Sequence, residues 1–483
     1  MNKKAFLFLI LLAVVQAVWI FNSDGFYYID DSFHYNVNRH FLTVPESGVS
    51  SWARIGRVLL FFIPSMFGYK GVQIFSGLLF LLVAFVGYKI LEKQEIKYAE
   101  WAIPLIGFQP VLFNLSYTAM AEMPAAALII FAYYFYLKDK PAATMILSSL
   151  TFIFRTEMYF VSVIFLLIYL YRKKFISLVY FTVGPLFWFI ISWIVTGDMN
   201  IFFYNLGMHS RLPRIAEGIK WYHYLYMAPK TYGVVQTLFF ITGFLLIPFT
   251  KKYKEFAIPV LITLGGIAGH TLAALDGLSS TCSVGQVRYI SIVGPTLALV
   301  ATFGLSKFYE LTGKYKINVL FMIFFLFVSF VVGPYSTPFH TKYDIHKISE
   351  DIVNFRNTKY PDYVVISEVQ FIAIAMDEAA SGDKNYKRLT KENLQKYPKA
   401  IIVWEGSLDG SPFTEGVVNL KDITSLPNVR QIDSVYRVVN HNFDVPVYKH
   451  YAYLADYWKK FIDYLIAEQN CWENINLKVF IKD

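Results

Sequence analysis

The sequence predicts a polytopic α-helical membrane protein with about eleven transmembrane helices and a C-terminal extracytoplasmic α/β domain. Long apolar runs recur over residues 1–335, lysine clusters fill alternate gaps between them, and the pattern changes to mixed polar and apolar after Pro334. Composition agrees. Of 483 residues, 56% are hydrophobic and 18% aromatic, only 16% are charged, and the mean hydropathy is +0.43. A net charge of +9 would point to nucleic acid in a soluble domain. Here many lysines sit in short gaps between apolar runs, where they set orientation, so no nucleic-acid partner is expected.

The opening run, MNKKAFLFLILLAVVQAVWIF, has the basic start of a secretory signal. It stays apolar through Trp19 to Phe21 without a clean small-x-small cleavage site, and therefore reads as an uncleaved first span over residues 5–21. Apolar runs at residues 71–91, 101–117, 119–137, 142–154, 158–171, 175–195, 231–249, 256–275, 289–306 and 317–334 supply the other spans, several of them short. With the N-terminus in the cytoplasm, the turns on that side carry Lys89, Lys93 and Lys97, then Lys138 and Lys140, then residues 172–174, 251–254 and 307–316. Every one of these turns is basic, as the positive-inside rule expects. The same count places residues 22–70, residues 196–230 and everything after about residue 335 on the opposite face. The domains are thus a transmembrane part over 1–335 and a soluble part over 336–483.

In the soluble part, KYDIHKISEDIVNFRN reads as an amphipathic helix, DYVVISE and KAIIVWE as short buried strands, VRQIDSVYRVV as a longer strand and YLADYWKKFIDYLIAE as a closing helix. About 150 residues suffice for an independent core. No glycine-rich phosphate loop precedes its helices, which favours a lid, scaffold or docking role over nucleotide chemistry. Cys282 and Cys471 are far apart and show neither CxxC nor histidine spacing, so neither a metal nor a redox motif is supported. No internal repeat or low-complexity stretch is visible.

The basic residues differ between the two faces. Cytoplasmic turns use lysine, with Arg172 the exception, whereas the outer loops carry Arg39, Arg54, Arg57, Arg155, Arg211, Arg214 and Arg288 beside only Lys70, Lys220 and Lys230. Arginine presents a planar fork that binds phosphate oxygens in pairs, and lysine is a hydrated point charge suited to setting topology. The asymmetry points to a phosphate-bearing ligand on the outer face. For any single arginine, a loop carboxylate or lipid head group is the simpler partner.

Carboxylates complete the candidate chemistry. In FYYIDDSFHY, Asp30 and Asp31 fall at the start of a helix expected over 28–40, with His34 on the same face. A paired carboxylate at a membrane boundary can deprotonate an alcohol, hold a divalent cation or cap a helix. Glu122 in YTAMAEMP starts a span on the outer side, Arg155 and Glu157 in FRTEMYF occupy the turn between two spans, and Arg288 in VGQVRYISIVGP starts another. Arg155 and Glu157 have a plainer role available as an ion pair closing their turn. Residues 196–230 mix Arg211 and Arg214 with many aromatics, which serve either as interfacial anchors or as a surface for a lipid-linked, phosphate-bearing substrate.

This arrangement resembles the GT-C superfamily of polyprenyl-phosphate-dependent membrane glycosyltransferases, which includes protein O-mannosyltransferases and lipid A aminoarabinose transferases. The resemblance covers residues 1–335 as architecture. Its motifs are narrower: IDDSFHY resembles the family's Asp-Glu or Asp-Asp signature followed by His or Tyr, and RTEMYF and VRYISIVGP resemble its arginine-containing segments. The second acidic residue is Asp rather than Glu, and His34 falls one place later than in some members, which leaves sugar and acceptor open.

The resemblance implies an inverting glycosyltransferase in which Asp30 is the general base for an acceptor hydroxyl and Asp31 orients it or binds a metal. His34, Arg54, Arg57, Glu122, Arg155, Glu157, Arg211, Arg214 and Arg288 would bind substrate. An already anionic leaving phosphate needs positive charge more than an acid, which accounts for arginines opposite carboxylates. No cofactor is implied beyond a divalent metal, which Asp30, Asp31 and Glu122 would hold if one is used. The expected partners are a polyprenyl-phosphate sugar donor, a lipid, glycan or protein acceptor, and membrane lipid. The expected setting is the plasma (inner) membrane of a bacterium, as part of the cell envelope, or the endoplasmic reticulum of a eukaryote. Two other classes compete: a transporter or flippase of lipid-linked sugars, which calls for polar groups through the membrane depth and a repeat between halves, and a non-catalytic scaffold.

Overall fold

The computed structural model describes residues 2–23, 25–27, 29–208, 221–274, 286–311, 319–331, 343–405, 418–432, 436–438 and 475–483. Arg211, Arg214, both cysteines and the closing helix expected over 453–468 lie outside the described residues. The described residues of Met1–Asn22 and Val49–Pro338 pack as one unit, and those of Ser23–Gly48, Phe339–Ala452 and Glu468–Asp483 as a second.

In the first unit, Lys3–Asn22, Gly68–Lys93 and Tyr253–Leu272 are long and apolar enough to cross a membrane. His223–Tyr232 and Val234–Phe249, bent by 119°, make a fourth crossing if they count as one broken span. Ile55–Met66, Glu122–Leu137, Pro141–Phe154, Thr156–Tyr171 and Val183–Thr196 are shorter apolar helices. Length and composition thus single out three or four crossings among the described residues, against about eleven apolar runs in the sequence. Part of the difference is length, since Glu122–Leu137 and Pro141–Phe154 are unbroken but short, and part comes from breaks inside the runs.

Two of the breaks have a local cause. Pro110 lacks an N–H and pushes Gln109 into an extended conformation, so the run 101–117 divides into Ala102–Gly107 and Pro110–Leu115. Gly233 has φ +95°, a conformation that side chains with a Cβ rarely adopt, and it separates His223–Tyr232 from Val234–Leu246. The run 289–306 contains the short helix Arg288–Ser291 and then Gly294–Leu311. Buried side chains bond to backbone carbonyls beside these breaks, where no water is at hand inside an apolar unit. Gln236 Nε2 donates to the Phe108 carbonyl at 2.9 Å, Gln109 Nε2 to that of Gly294 at 2.9 Å, and Tyr232 Oη to that of Ile290 at 2.7 Å, all buried. Side chains therefore stitch the broken ends together, and Pro110–Leu115, His223–Tyr232 and Arg288–Ser291 pack on one another.

Val234–Leu246 and Gly294–Leu311 cross closely. A Cβ added at Gly304 would come within 2.1 Å of the Phe239 carbonyl, and one at Gly243 within 2.3 Å of the Val300 carbonyl. Small residues allow the backbones this approach, and dispersion over the contact is what holds two helices together where no water is displaced.

The second unit contains a six-stranded sheet of β1 (Val364–Ser367), β2 (Tyr386–Arg388), β3 (Ala400–Glu405), β4 (Val429–Gln431), β5 (Tyr436–Val438) and β6 (Ile475–Lys482). The order is β2-β1-β3-β6-β4, with β5 also on β6; β1 is parallel to β2 and β3, and β6 is antiparallel to β3, β4 and β5. β3 is apolar at nearly every position because both its faces are buried. Ile366, Ala400, Ile402, Trp404 and Phe480 form the core on one face with Leu389, Leu394, Val418 and Ile423. β1 and β3 and the amphipathic helix Tyr343–Lys359 fall where the sequence predicts them, whereas the single strand expected over 429–439 is two short strands, β4 and β5. The helix Ile29–Arg39 also belongs to this unit.

Candidate active site

Five of the expected site residues meet in the first unit. The helix Pro141–Phe154 ends at Arg155, whose backbone is extended and whose N–H still donates to Thr151 O at 2.7 Å, so the side chain leaves the helix axis. Its guanidinium forks. Nη2 donates to Glu122 Oε1 and Nη1 to Glu157 Oε1, the latter at 3.2 Å. Glu122 is the first residue of Glu122–Leu137, where the helix dipole favours a carboxylate. It is fully buried, and Arg288 Nε lies 3.8 Å from the same oxygen.

Arg54 joins from another element. It precedes Ile55–Met66 with φ +60°, a strained conformation for a residue with a side chain, of the kind that gathers at functional sites. Its Nη1 donates to Thr156 Oγ1 at 3.2 Å, and its Nη2 lies 4.0 Å from Glu157 Oε2. Three guanidinium groups thus surround two carboxylates, which leaves positive charge in excess.

Aromatic rings close the cluster. The Tyr289 ring lies 4.7 Å from the Arg155 guanidinium carbon and 5.2 Å from that of Arg288, both within cation–π range. His270 stacks on Tyr289 at 5.7 Å with 19° between planes, and Tyr224 meets His270 edge-on at 6.2 Å. Tyr289, His270 and Tyr224 were not among the residues expected from sequence. A lone His in the apolar run GIAGHTLAA was the available signal, because an ionisable residue within a span marks a site more often than a packing position.

Arg57 is buried and turns its guanidinium back on the start of its own helix, with Nε donating to the Ala53 carbonyl at 2.8 Å. Asp30, Asp31 and His34 lie in the other unit, on Ile29–Arg39. Asp31 is fully buried and its Oδ2 accepts the Tyr27 N–H at 2.9 Å, tying down the chain that enters the helix, whereas Asp30 is half-buried. At the far end of that helix Arg39 forks onto Asp377, with Nη2 donating to Oδ2 at 2.7 Å, and this hydrogen bond holds the Asp377 carboxyl below its ordinary pKa. Among the described residues, no group of three or more His, Cys, Asp or Glu side chains is placed to hold a metal ion.

No protein-family model and no curated protein matches the sequence. Solved structures do resemble it. ArnT from Cupriavidus metallidurans bound to undecaprenyl phosphate superposes with a TM-score of 0.60 at 11% identity, over 98% of this chain and 97% of that one. The apo state of the same protein gives 0.57 at 11% identity, over 82% and 92%. At that identity the likeness is one of fold: the chain has a fold similar to that of ArnT, over nearly the whole of both chains in the undecaprenyl-phosphate complex.

Proposed function

We propose that the protein is an inverting glycosyltransferase that moves a sugar from a polyprenyl-phosphate donor to an acceptor hydroxyl on the extracytoplasmic face. The observation that carries this reading is the gathering of Arg54, Arg155 and Arg288 around Glu122 and Glu157, in a unit with the fold of a protein solved with undecaprenyl phosphate. Fixed guanidinium groups stabilise the charge that develops on a departing phosphate. Asp30 takes the acceptor proton as the hydroxyl oxygen attacks the anomeric carbon and the carbon–phosphate oxygen bond breaks. Asp31, bonded to Tyr27 N–H, fixes the helix start and orients its neighbour.

The test supplies membranes containing the protein with radiolabelled undecaprenyl- and dolichyl-phosphate sugars and compares wild type with Asp30→Asn. Transfer should fall by about 10²- to 10⁴-fold in the variant, the range of a general base. Unchanged transfer removes Asp30 from that role, and no transfer from any donor removes the enzyme.

The 119° break at Gly233 favours a second reading, because discontinuous helices also build the binding sites of transporters. A flippase would carry lipid-linked sugar across vesicle membranes without covalent transfer, and equally well with Asn at position 30.

A further inference from the structure

The helix bearing the acidic pair has only eleven residues, and a helix that short is marginal in water without tertiary support. Among the described residues, much of its support comes from one segment. Ser32, Asn36 and Arg39 follow at helical spacing and all reach the segment 370–380. Ser32 Oγ donates to Gln370 Oε1 at 3.5 Å. The buried Asn36 amide is engaged in both directions: Nδ2 donates to the Glu378 carbonyl at 2.8 Å, and Oδ1 accepts the Ala380 N–H at 2.8 Å. Arg39 grips both oxygens of Asp377.

The segment 370–380 is itself fixed to the sheet. The Glu378 carboxylate accepts the N–H of Asn385 at 2.8 Å and that of Tyr386, the first residue of β2, at 2.7 Å. Near the acidic end, Phe26 packs against both Tyr35 and Phe371, with ring centroids 5.8 Å and 5.9 Å away. A hydrogen-bonded path therefore runs from the sheet through Glu378 and Asn36 into the helix whose first turn carries Asp30 and Asp31.

We propose that Asn36 and Arg39, with Asp377 and Glu378 as their anchors, are positioning residues for the acidic pair, so that the C-terminal sheet acts on the reaction through this helix and not by touching substrate. The inference rests on Asp30 being the base. A two-way amide bond fails on a shift of a fraction of an ångström, and misplacing a reacting group by about 1 Å can cost about 100-fold in rate.

The experiment uses the full-length protein and the radiolabelled polyprenyl-phosphate sugar that wild type turns over best. Asn36→Ala/Arg39→Ala should lower kcat at least about tenfold while the donor KM stays within about twofold, because the two clamp residues act by placing Asp30. Arg39→Glu combined with Asp377→Arg should recover much of the loss that Arg39→Glu alone produces. A clamp serving stability alone predicts instead an unchanged kcat per folded molecule, and that result overturns the proposal. If the double variant does not accumulate, Asp377→Asn decides, since it alters one exposed side chain: a lowered kcat supports positioning and an undiminished one overturns it. Asp30→Asn in parallel separates the two levels. If that variant retains full transfer, the base assignment has failed; if it is inactive while the clamp variants keep wild-type kcat, only the positioning role has.

Discussion

Arg155 shows how one residue type at one turn can serve structure and site together. The sequence offered two uses for it, an ion pair with Glu157 or a place in a binding site, and its fork reaches both Glu157 and the fully buried Glu122. A buried carboxylate that loses its partner is costly, so Arg155→Ala should destabilise by about 3–5 kcal/mol. The check is a fall in the melting temperature of the detergent-purified protein, with Glu122→Gln/Arg155→Met recovering much of it because the orphaned charge leaves with its partner. Arg155→Lys should not restore wild-type stability, since an ammonium lacks the planar fork that serves two carboxylates at once. At this scale the charged members of the cluster were legible, because charges beside apolar runs stand out. Tyr289 was not, although it follows Arg288 directly: aromatics are so common in this sequence that adjacency alone carries little information. Asn36 was equally hidden, because its role depends on backbone groups more than 300 residues away in the chain.

Helices are where sequence and structure part most visibly. Hydropathy located the apolar runs, and the ends of Lys3–Asn22 and Gly68–Lys93 lie within a few residues of expectation. It did not locate the breaks: Pro110 is embedded in a segment that stays apolar on either side, and Gly233 lies at the start of the run 231–249, just after Lys230 and Thr231. It also passed over Ile55–Met66, an apolar helix inside what the sequence offered as a long outer loop. The crossing of Val234–Leu246 with Gly294–Leu311 yields a sharp expectation. Gly304→Leu places a branched side chain where even a Cβ would come within 2.1 Å of a carbonyl, and should cost about 3 kcal/mol through forced separation of the two helices. The loss should be visible as reduced monodisperse protein on size-exclusion chromatography, with Gly304→Ala intermediate. Equal yield from all three proteins would mean that the close approach is not needed.

At the scale of the molecule, the alternation of lysine turns with arginine-bearing loops remains the basis for orientation. With Cys282 and Cys471 replaced by serine, single cysteines at Glu46 and Lys391, both exposed, should react with a membrane-impermeant maleimide in intact cells. Cysteines at the exposed Lys93 and Lys173 should react only after permeabilisation, and early labelling of either would reverse the proposed topology. The fold class was legible because lipid and water impose coarse, long patterns on composition. The pairing within the sheet was not, because β4, β5 and β6 are set by partners distant in sequence.

That sheet has a consequence for biosynthesis. β6 lies between β3 and β4 and also pairs with β5, yet among the described strands it comes last in chain order. As the polypeptide emerges, β1, β2 and β3 can associate early, but among the described strands one edge of β3 stays open and β4 and β5 have no neighbour until residues 475–482 arrive. An unpaired apolar edge such as that of β3 is a template for wrong partners. The nascent domain therefore passes through an interval of exposure that ends only when its keystone strand slots in, and a ribosome stalled before Ile475 would leave a membrane-tethered chain with a sticky, unfinished sheet.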